Sequence, residues 1–463
     1  MTDTCSVLRS VDGSIARRRQ LFAQHPGSSN PSTPARRGCT MKRLMLTITA
    51  IAVASNAFAQ TPAEQTSGPA PKLAAPYSTR SASHSPEVKP FPTGRLPRVP
   101  VGFVVNRFAN RLDSPRNVLV LPNGDVLAAE AKTERKYDDP QYRDKGANRI
   151  TLLRDADGDG VAETRSILLS GLRQPYGMAL IGQRLYIADT DGVYWVAYKL
   201  GTTKLPANTP KTRITSFEPG GYNNHWTRNI IPSADGKSLF VAVGSASNAG
   251  EHGIEQERRR ANILHLDLPT GRETVFASGL RNPVGMAIEP RTGALWTAVN
   301  ERDELGDELV PDYITSVRAG GFYGWPYSYY GQHEDPRLKG QRPDLVAKAV
   351  VPDYAVGAHV AALGIGFGDA TNFPERYRAG AFVARHGSWN RSKLSGYDVA
   401  FVPFKSGKPS GALQPFLTGF IGGEDTVYGR PRGIAVAKDG SLLVVDDAGG
   451  TLWRVSMRQA AAQ

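Results

Sequence analysis

Five short stretches of this 463-residue chain carry side chains able to do chemistry. "GGYNNHWTRNI" sets His225 beside Asn224. A neutral imidazole with a pKa near ~6.5 can take a proton from a hydroxyl group. "GLRQPYGMAL" holds Gln174, and its near-duplicate "GLRNPVGMAI" holds Arg281 and Asn282. "YGRPRGIAV" places Arg430 and Arg432 among glycines and a proline, and "RHGSWNR" carries His386 and Arg391. Arginine's planar donor fork suits carboxylates and quinone oxygens. Each of these residues also has a structural reading, in which the arginines satisfy backbone carbonyls or neighbouring carboxylates and the histidine is simply packed.

Two acidic stretches could hold a hard cation. "NERDELGDELVPD" crowds Glu301, Asp303, Glu304, Asp307, Glu308 and Asp312 around Arg302, and a solvated acidic loop is its alternative. "DADGDGVAE" spaces Asp155, Asp157 and Asp159 like the first half of a calcium loop, with Gly160 at the sharp turn. Ser166 stands where such a loop needs a bidentate glutamate, so a plain Asp-Gly hairpin turn stays open beside structural Ca²⁺. The aromatic run "GGFYGWPYSYYG" could stack on a flat ligand or pack inside the fold.

Positioning these residues falls to a repeated unit: an alternating apolar strand, a polar turn, and a second strand ending in small or acidic residues. Copies lie at 117–130, 177–198, 228–245, 284–301, 363–390 and 432–457. Six such units predict an all-β, six-bladed β-propeller over 101–463, with a sandwich or two β domains as the alternative. Propeller loops converge at one mouth, so residues far apart in sequence can share a site.

The rest of the chain bounds location. "MKRLMLTITAIAVASNAFAQ" reads as a charged, then apolar, then A-x-A signal peptide over 41–59. Residues 1–40 read as an upstream extension ahead of the true start. Residues 60–100, rich in Pro, Ser and Ala, read as a flexible linker. Residues 1–59 carry eight Lys/Arg and two Asp, which takes +6 from the net +13 and leaves +7. That balance does not suggest a nucleic-acid binder. Both cysteines, Cys5 and Cys39, fall in the removable part, so a periplasmic or secreted mature chain would contain no thiol. Its apolar segment is too short for a membrane span, and none is expected in the mature chain.

Taken together, "GLRNPVGMAI", "NERDELGDELVPDY", "GGFYGWP" and "HGSWNR" resemble the pyrroloquinoline quinone (PQQ)-dependent soluble sugar dehydrogenases, closest to the L-sorbosone and aldose dehydrogenase branch. The resemblance spans roughly Val101 to Met457. It implies a six-bladed propeller that binds PQQ and Ca²⁺ and oxidises an aldose C1 hydroxyl or a sugar aldehyde. His225 falls at the family's general base, with Gln174 and Asn224 at polar positions around it. Arg281 and Asn282 fall against the quinone oxygens, and Arg430 and Arg432 against the PQQ carboxylates. The backbone carbonyls of Glu301, Arg302 and Asp303 fall at the cofactor's Ca²⁺. His386 stands about where glucose-oxidising members use a lysine. Electrons would pass to an external cytochrome, quinone or dye, since the chain has no CxxCH haem motif. The rivals are a Ca²⁺-dependent propeller lactonase and a non-catalytic carbohydrate-binding propeller.

Overall fold

A computed structural model describes residues 66–133, 145–217 and 222–458. Six sheets follow one another along the chain, each built around four antiparallel strands. Their innermost strands are Pro115–Val120, Gly177–Ile181, Arg228–Pro232, Pro283–Ile288, Ala362–Phe367 and Pro431–Val436, which begin blades 1 to 6. The six repeats read in the sequence are the inner hairpins of these blades. The ring closes through Phe103–Ala109, which pairs with Thr451–Met457 as the outer strand of blade 6, Phe103 opposite Met457.

Period-two alternation explains why the blades need one another. In the second strand of blade 1, Val126 and Ala128 pack with Leu443 and Val445 of blade 6. Leu127 and Ala129, between them in sequence, pack with Leu185 and Ile187 of blade 2. In blade 2 the intervening Tyr186 and Ala188 turn to Leu239 and Val241 of blade 3. Blades 3 and 4 share Ile263 and Met286, blades 4 and 5 share Trp296 and Phe367, and blades 5 and 6 share Phe401 and Trp453. Each sheet is thus apolar on both faces and buried only within the ring.

The inner strands meet closely at the axis. A Cβ on Gly285 would lie 2.7 Å from Ile365 N, and one on Gly364 only 2.1 Å from Arg432 O. That close approach accounts for the glycines in the repeated "GMA" and "GIG" strands.

Residues 66–100 correct the linker expectation over their described length. Ser67–Gly68 pairs with the outer strand of blade 4, and Glu87–Val88 runs parallel to Thr426–Val427. Phe91 packs edge-on against Phe420 and Trp453, with ring centroids 5.6 and 5.4 Å away. Composition reads as linker because the segment has few apolar residues of its own. It is held by backbone hydrogen bonds to the propeller rim and by the packing of Phe91, neither of which composition records. Residues 60–65 of the linker, the upstream extension and the signal segment lie outside the described residues. Among the described residues, no helix is long and apolar enough to cross a membrane.

Candidate functional site

The loops entering the inner strands and leaving the second strands surround a cleft of 620 Å³ at one mouth of the ring. Asn224, His225, Arg281, Asn282, Asp303, His386, Arg430 and Arg432 all line it. Four blades or their loops therefore bring together residues separated by 208 positions, from Asn224 to Arg432.

His225 precedes the inner strand of blade 3. Its Nδ1 lies 3.1 Å from Ser245 O and 2.8 Å from Ser245 Oγ. A carbonyl only accepts, and the Ser245 hydroxyl is already donated to Ser247 O at 2.7 Å. Nδ1 therefore carries the proton, and Nε2 keeps its lone pair. Burial, and then the Arg281 charge, hold the His225 pKa well below its ordinary value, so the ring is neutral. Gly244 makes room for this arrangement: a Cβ there would stand 2.5 Å from both His225 Cβ and Asn282 Oδ1.

Arg281 is buried and bound on every side. Nε donates to Asn248 O (3.0 Å), Nη2 to Asn248 Oδ1 (2.8 Å) and Asp303 Oδ2 (3.0 Å). Nη1 donates to Asn300 O (3.2 Å) and Glu301 O (2.6 Å). Of the three carbonyls expected to face a Ca²⁺, that of Glu301 accepts from this guanidinium instead, and that of Asp303 accepts from Asn248 Nδ2 (3.3 Å) and Arg337 Nη1 (3.2 Å). The side chains of Glu301 and Arg302 lie beneath the cleft wall. Arg302, fully buried, pairs with Glu301 Oε2 (3.0 Å) and Asp335 Oδ2 (3.1 Å) and donates to Ser328 O (2.7 Å). That network pins the carbonyl loop to the aromatic loop behind it. Burial alone would raise the Asp303 carboxyl, but the His359 hydrogen bond and the Arg281 charge hold it below its ordinary value. His359 answers with a raised pKa: burial opposes it, and Asp303 together with Gly306 O (2.8 Å) overcomes burial.

On the opposite wall one carboxylate organises the cations. Asp447 accepts from Arg116 Nη1 (2.6 Å), Arg432 Nη1 (3.3 Å) and His386 Nε2 (2.8 Å). Burial would raise its pKa, and the His386 and arginine donors hold it far below the carboxylate range. His386 is lowered to about 3 by burial and by Arg430, so it sits neutral. Arg116 is lowered to about 10, chiefly by burial. Arg430 donates only to the His386 and Gly387 carbonyls (3.2 and 2.9 Å). Two guanidiniums share the Asp447 carboxylate and Arg430 lies beside them on carbonyls alone, which leaves an excess of positive charge. Among the described residues, Arg432 Nε and Asn282 Oδ1 are buried without a protein partner. Unpaired buried polar groups of this kind are costly unless something else satisfies them. A planar anion with several carboxylates fits this cleft, whose volume lies within the ~300–1,000 Å³ range of small-molecule sites.

Three expectations are amended. Gln174 does not line the cleft; it is buried, with Nε2 donating to Lys132 O (2.9 Å). Its φ of 48° turns the chain inward there, which the "LRQP"/"LRNP" likeness could not reveal. The aromatic run packs inside the fold: Tyr323 and Tyr329 are buried, and Trp325 Nε1 is bonded to Asn248 O (2.9 Å). Trp389, 43% exposed, opens into the cleft, and the buried Trp226 also lines it. Asp155, Asp157 and Asp159 lie in the turn between the outer strands of blade 1. Glu163 joins them, with ligand-capable oxygens within 4.8 Å of one another, in place of the missing glutamate at Ser166.

Residues missed in the sequence include Asn248, Arg116, Asp447, His359, Ser83 and Ser85. Asp447 was signalled through its neighbour: Asp446 ends the second strand of blade 6 as Glu130 and Asp189 end those of blades 1 and 2.

The profile of the TrAA12-like family matches residues 97–313 and 346–456. The PQQ-dependent pyranose dehydrogenase of Coprinopsis cinerea is 26% identical over 353 residues, covering 65% of this chain and 44% of that enzyme. The chain thus spans under half the length of that relative. The holo PQQ domain of pyranose dehydrogenase from the same fungus superposes with a TM-score of 0.63 at 21% identity, over 81% of this chain and all (100%) of that domain. A calcium structure of a Trichoderma reesei carbohydrate-active enzyme of family AA12 gives 0.62 at 19% identity, over 78% and 97%.

Proposed function

Because the chain belongs to the TrAA12-like family, a group of PQQ-dependent sugar dehydrogenases, we propose that it oxidises a sugar with PQQ and Ca²⁺, and that His225 is the general base. The observation that carries this reading is a neutral histidine with a free Nε2 in the same cleft as two under-paired arginines: among the described residues the Arg430 guanidinium meets backbone carbonyls and the Tyr397 ring, and Arg432 shares the Asp447 carboxylate with Arg116. Arg430 and Arg432 would hold the PQQ carboxylates, and Asn282 would meet the quinone end. Ca²⁺ would take its oxygen ligands from the loop at Asn300 to Asp303, where the Asn300 and Glu301 carbonyls and Asp303 Oδ2 already accept from Arg281 and would have to share their remaining lone pairs with the ion. The chemistry that PQQ supplies when bound is hydride acceptance at an electrophilic quinone carbonyl.

The protein's own part is positional and electrostatic. His225 Nε2 takes the proton of the sugar hydroxyl as the C–H bond breaks, while Ser245 holds Nδ1–H and fixes the ring. Arg281, immobilised by Asn248 and Asp303, keeps positive charge beside His225 and so keeps the imidazole unprotonated and ready to accept. Asp447 and Arg116 hold Arg432 in place. The substrate class proposed is an aldose oxidised at C1 or a sugar aldehyde such as L-sorbosone, with electrons leaving to an external cytochrome, quinone or dye. Export to the periplasm or beyond is proposed from the signal-like segment at 41–59.

A Ca²⁺-dependent lactonase would need carboxylates gathered in the cleft. Glu251, Asp303 and Glu304 line the cleft, but among the described residues the carboxylates whose ligand atoms gather within 4.8 Å of one another are Asp155, Asp157, Asp159 and Glu163, none of which lines it. The test is titration of cofactor-free protein with PQQ in the presence of Ca²⁺, followed by dye reduction with aldoses and L-sorbosone. Saturable PQQ binding and sugar-dependent dye reduction support the reading. Failure to bind micromolar PQQ would sink it.

A further inference from the structure

The strap at residues 66–100 runs along the edge of the candidate site, and its first thirty-one residues, 66–96, precede the part of the chain that the family profile matches. Its tethering is specific. His84 N donates to Trp389 O (2.7 Å), and Asn390 Nδ2 donates to Ala82 O (2.7 Å). Three residues on, Glu87 N donates to Asp425 O (2.8 Å). An extended segment sends alternate side chains to opposite sides. His84 points to the rim, with Nδ1 3.0 Å from Ser392 O and Nε2 2.7 Å from Asp425 Oδ1. Ser83 and Ser85, on either side of it, both line the cleft. Both are exposed, and neither hydroxyl has a hydrogen-bond partner among the described residues.

The same cleft wall carries the open Trp389 ring and the Glu304 carboxylate. An aromatic face beside hydroxyl and carboxylate groups matches a sugar ring, which offers C–H faces and a rim of hydroxyls. Glu251 lines the same cleft, and the two carboxylates suit a neutral sugar better than a sugar acid.

We propose that Ser83 and Ser85 are specificity residues that hydrogen-bond sugar hydroxyls remote from the oxidised carbon, with His84 as the latch that positions them. This rests on the reading of the cleft as a PQQ-dependent sugar site. The experiment compares the PQQ- and Ca²⁺-loaded protein with a Ser83→Ala/Ser85→Ala double variant and with His84→Ala. PQQ affinity is measured by titration, and kcat and KM by dye reduction with neutral aldoses and the matching uronic acids. Two neutral hydrogen bonds at ~0.5–1.5 kcal/mol each correspond to a rise in KM of about tenfold for the preferred sugar. The expected result is that rise in the double variant, a rise in the same direction for His84→Ala, and kcat and PQQ affinity within about twofold of the unaltered protein. Unchanged KM in variants that still bind PQQ and oxidise sugar would overturn the strap's role alone. A loss confined to PQQ affinity would also overturn it, making the strap a cofactor cover. Absence of PQQ binding by the unaltered protein would overturn the site reading, and this inference with it.

Discussion

Replacing Asp447 by asparagine removes the counter-charge of the arginine wall while keeping its shape. Arg116 Nη1, Arg432 Nη1 and His386 Nε2 all donate to this carboxylate, the closest at 2.6 Å, and Asp447 and both arginines are buried. Asparagine would offer one acceptor oxygen and turn an N–H₂ donor toward another donor. Arg116 is already held down to about 10 by burial, with Asp447 as the main force opposing that drop. Removing one partner of a buried ion pair costs about 3–5 kcal/mol, against a total stability of ~5–15 kcal/mol. Asp447→Asn should therefore lose about 3–5 kcal/mol in reversible urea unfolding of the cofactor-free protein. The sign with pH is fixed by the depressed Asp447 pKa: its contribution is complete above the unfolded carboxylate value of ~3.9 and fades only as pH falls through the lower folded value. The loss should thus be the same at pH 5 and pH 8. Added PQQ, bringing carboxylates to the same arginines, should restore part of it. A loss under about 1 kcal/mol would refute the view that Asp447 balances this wall.

Three further outcomes follow from the same geometry. The folded pKa of His225 is lowered by burial and Arg281, so its base form persists below pH ~6.5 and the acid limb of kcat/KM should fall below that pH; a limb at or above it would contradict the neutral-histidine assignment. Arg430→Ala, which sacrifices only bonds to two carbonyls, should leave the fold intact and weaken PQQ binding by about 10–100-fold, the worth of one charge-assisted hydrogen bond at ~1.5–3 kcal/mol; calorimetric titration reads this directly. Gly244→Ala, whose Cβ would stand 2.5 Å from His225 Cβ, should lower kcat by about 10²-fold through displacement of the base, in a protein whose circular dichroism is unchanged.

The propeller was legible because blade building is local. A strand of alternating residues, a polar turn and a returning strand recur six times, and the inner hairpins fall where the repeats do. Site residues adjacent to those hairpins were legible for the same reason: His225, Arg281, Arg430 and Arg432 sit one or a few positions from strand ends. Partners that reach the site across the ring were not. Asn248 meets Arg281 from another loop, and Arg116 and Asp447 meet across the closure of the ring, a separation of 331 positions. The strap was read as linker because its order comes from hydrogen bonds to the rim and from a few side chains, Phe91 and His84 among them, whose partners lie far along the chain. Gln174 shows the reverse error, since a shared "GLR" opening marks the repeat and not the direction in which the following side chain points.

The central claim places His225 as the base in a PQQ-dependent sugar oxidation. It is tested most directly by comparing His225→Ala with the unaltered protein, both loaded with PQQ and Ca²⁺ to measured saturation. The account predicts equal PQQ binding within a few-fold and a kcat for dye reduction lower by about 10²–10⁴-fold. Equal kcat in the two proteins at full PQQ occupancy would contradict it.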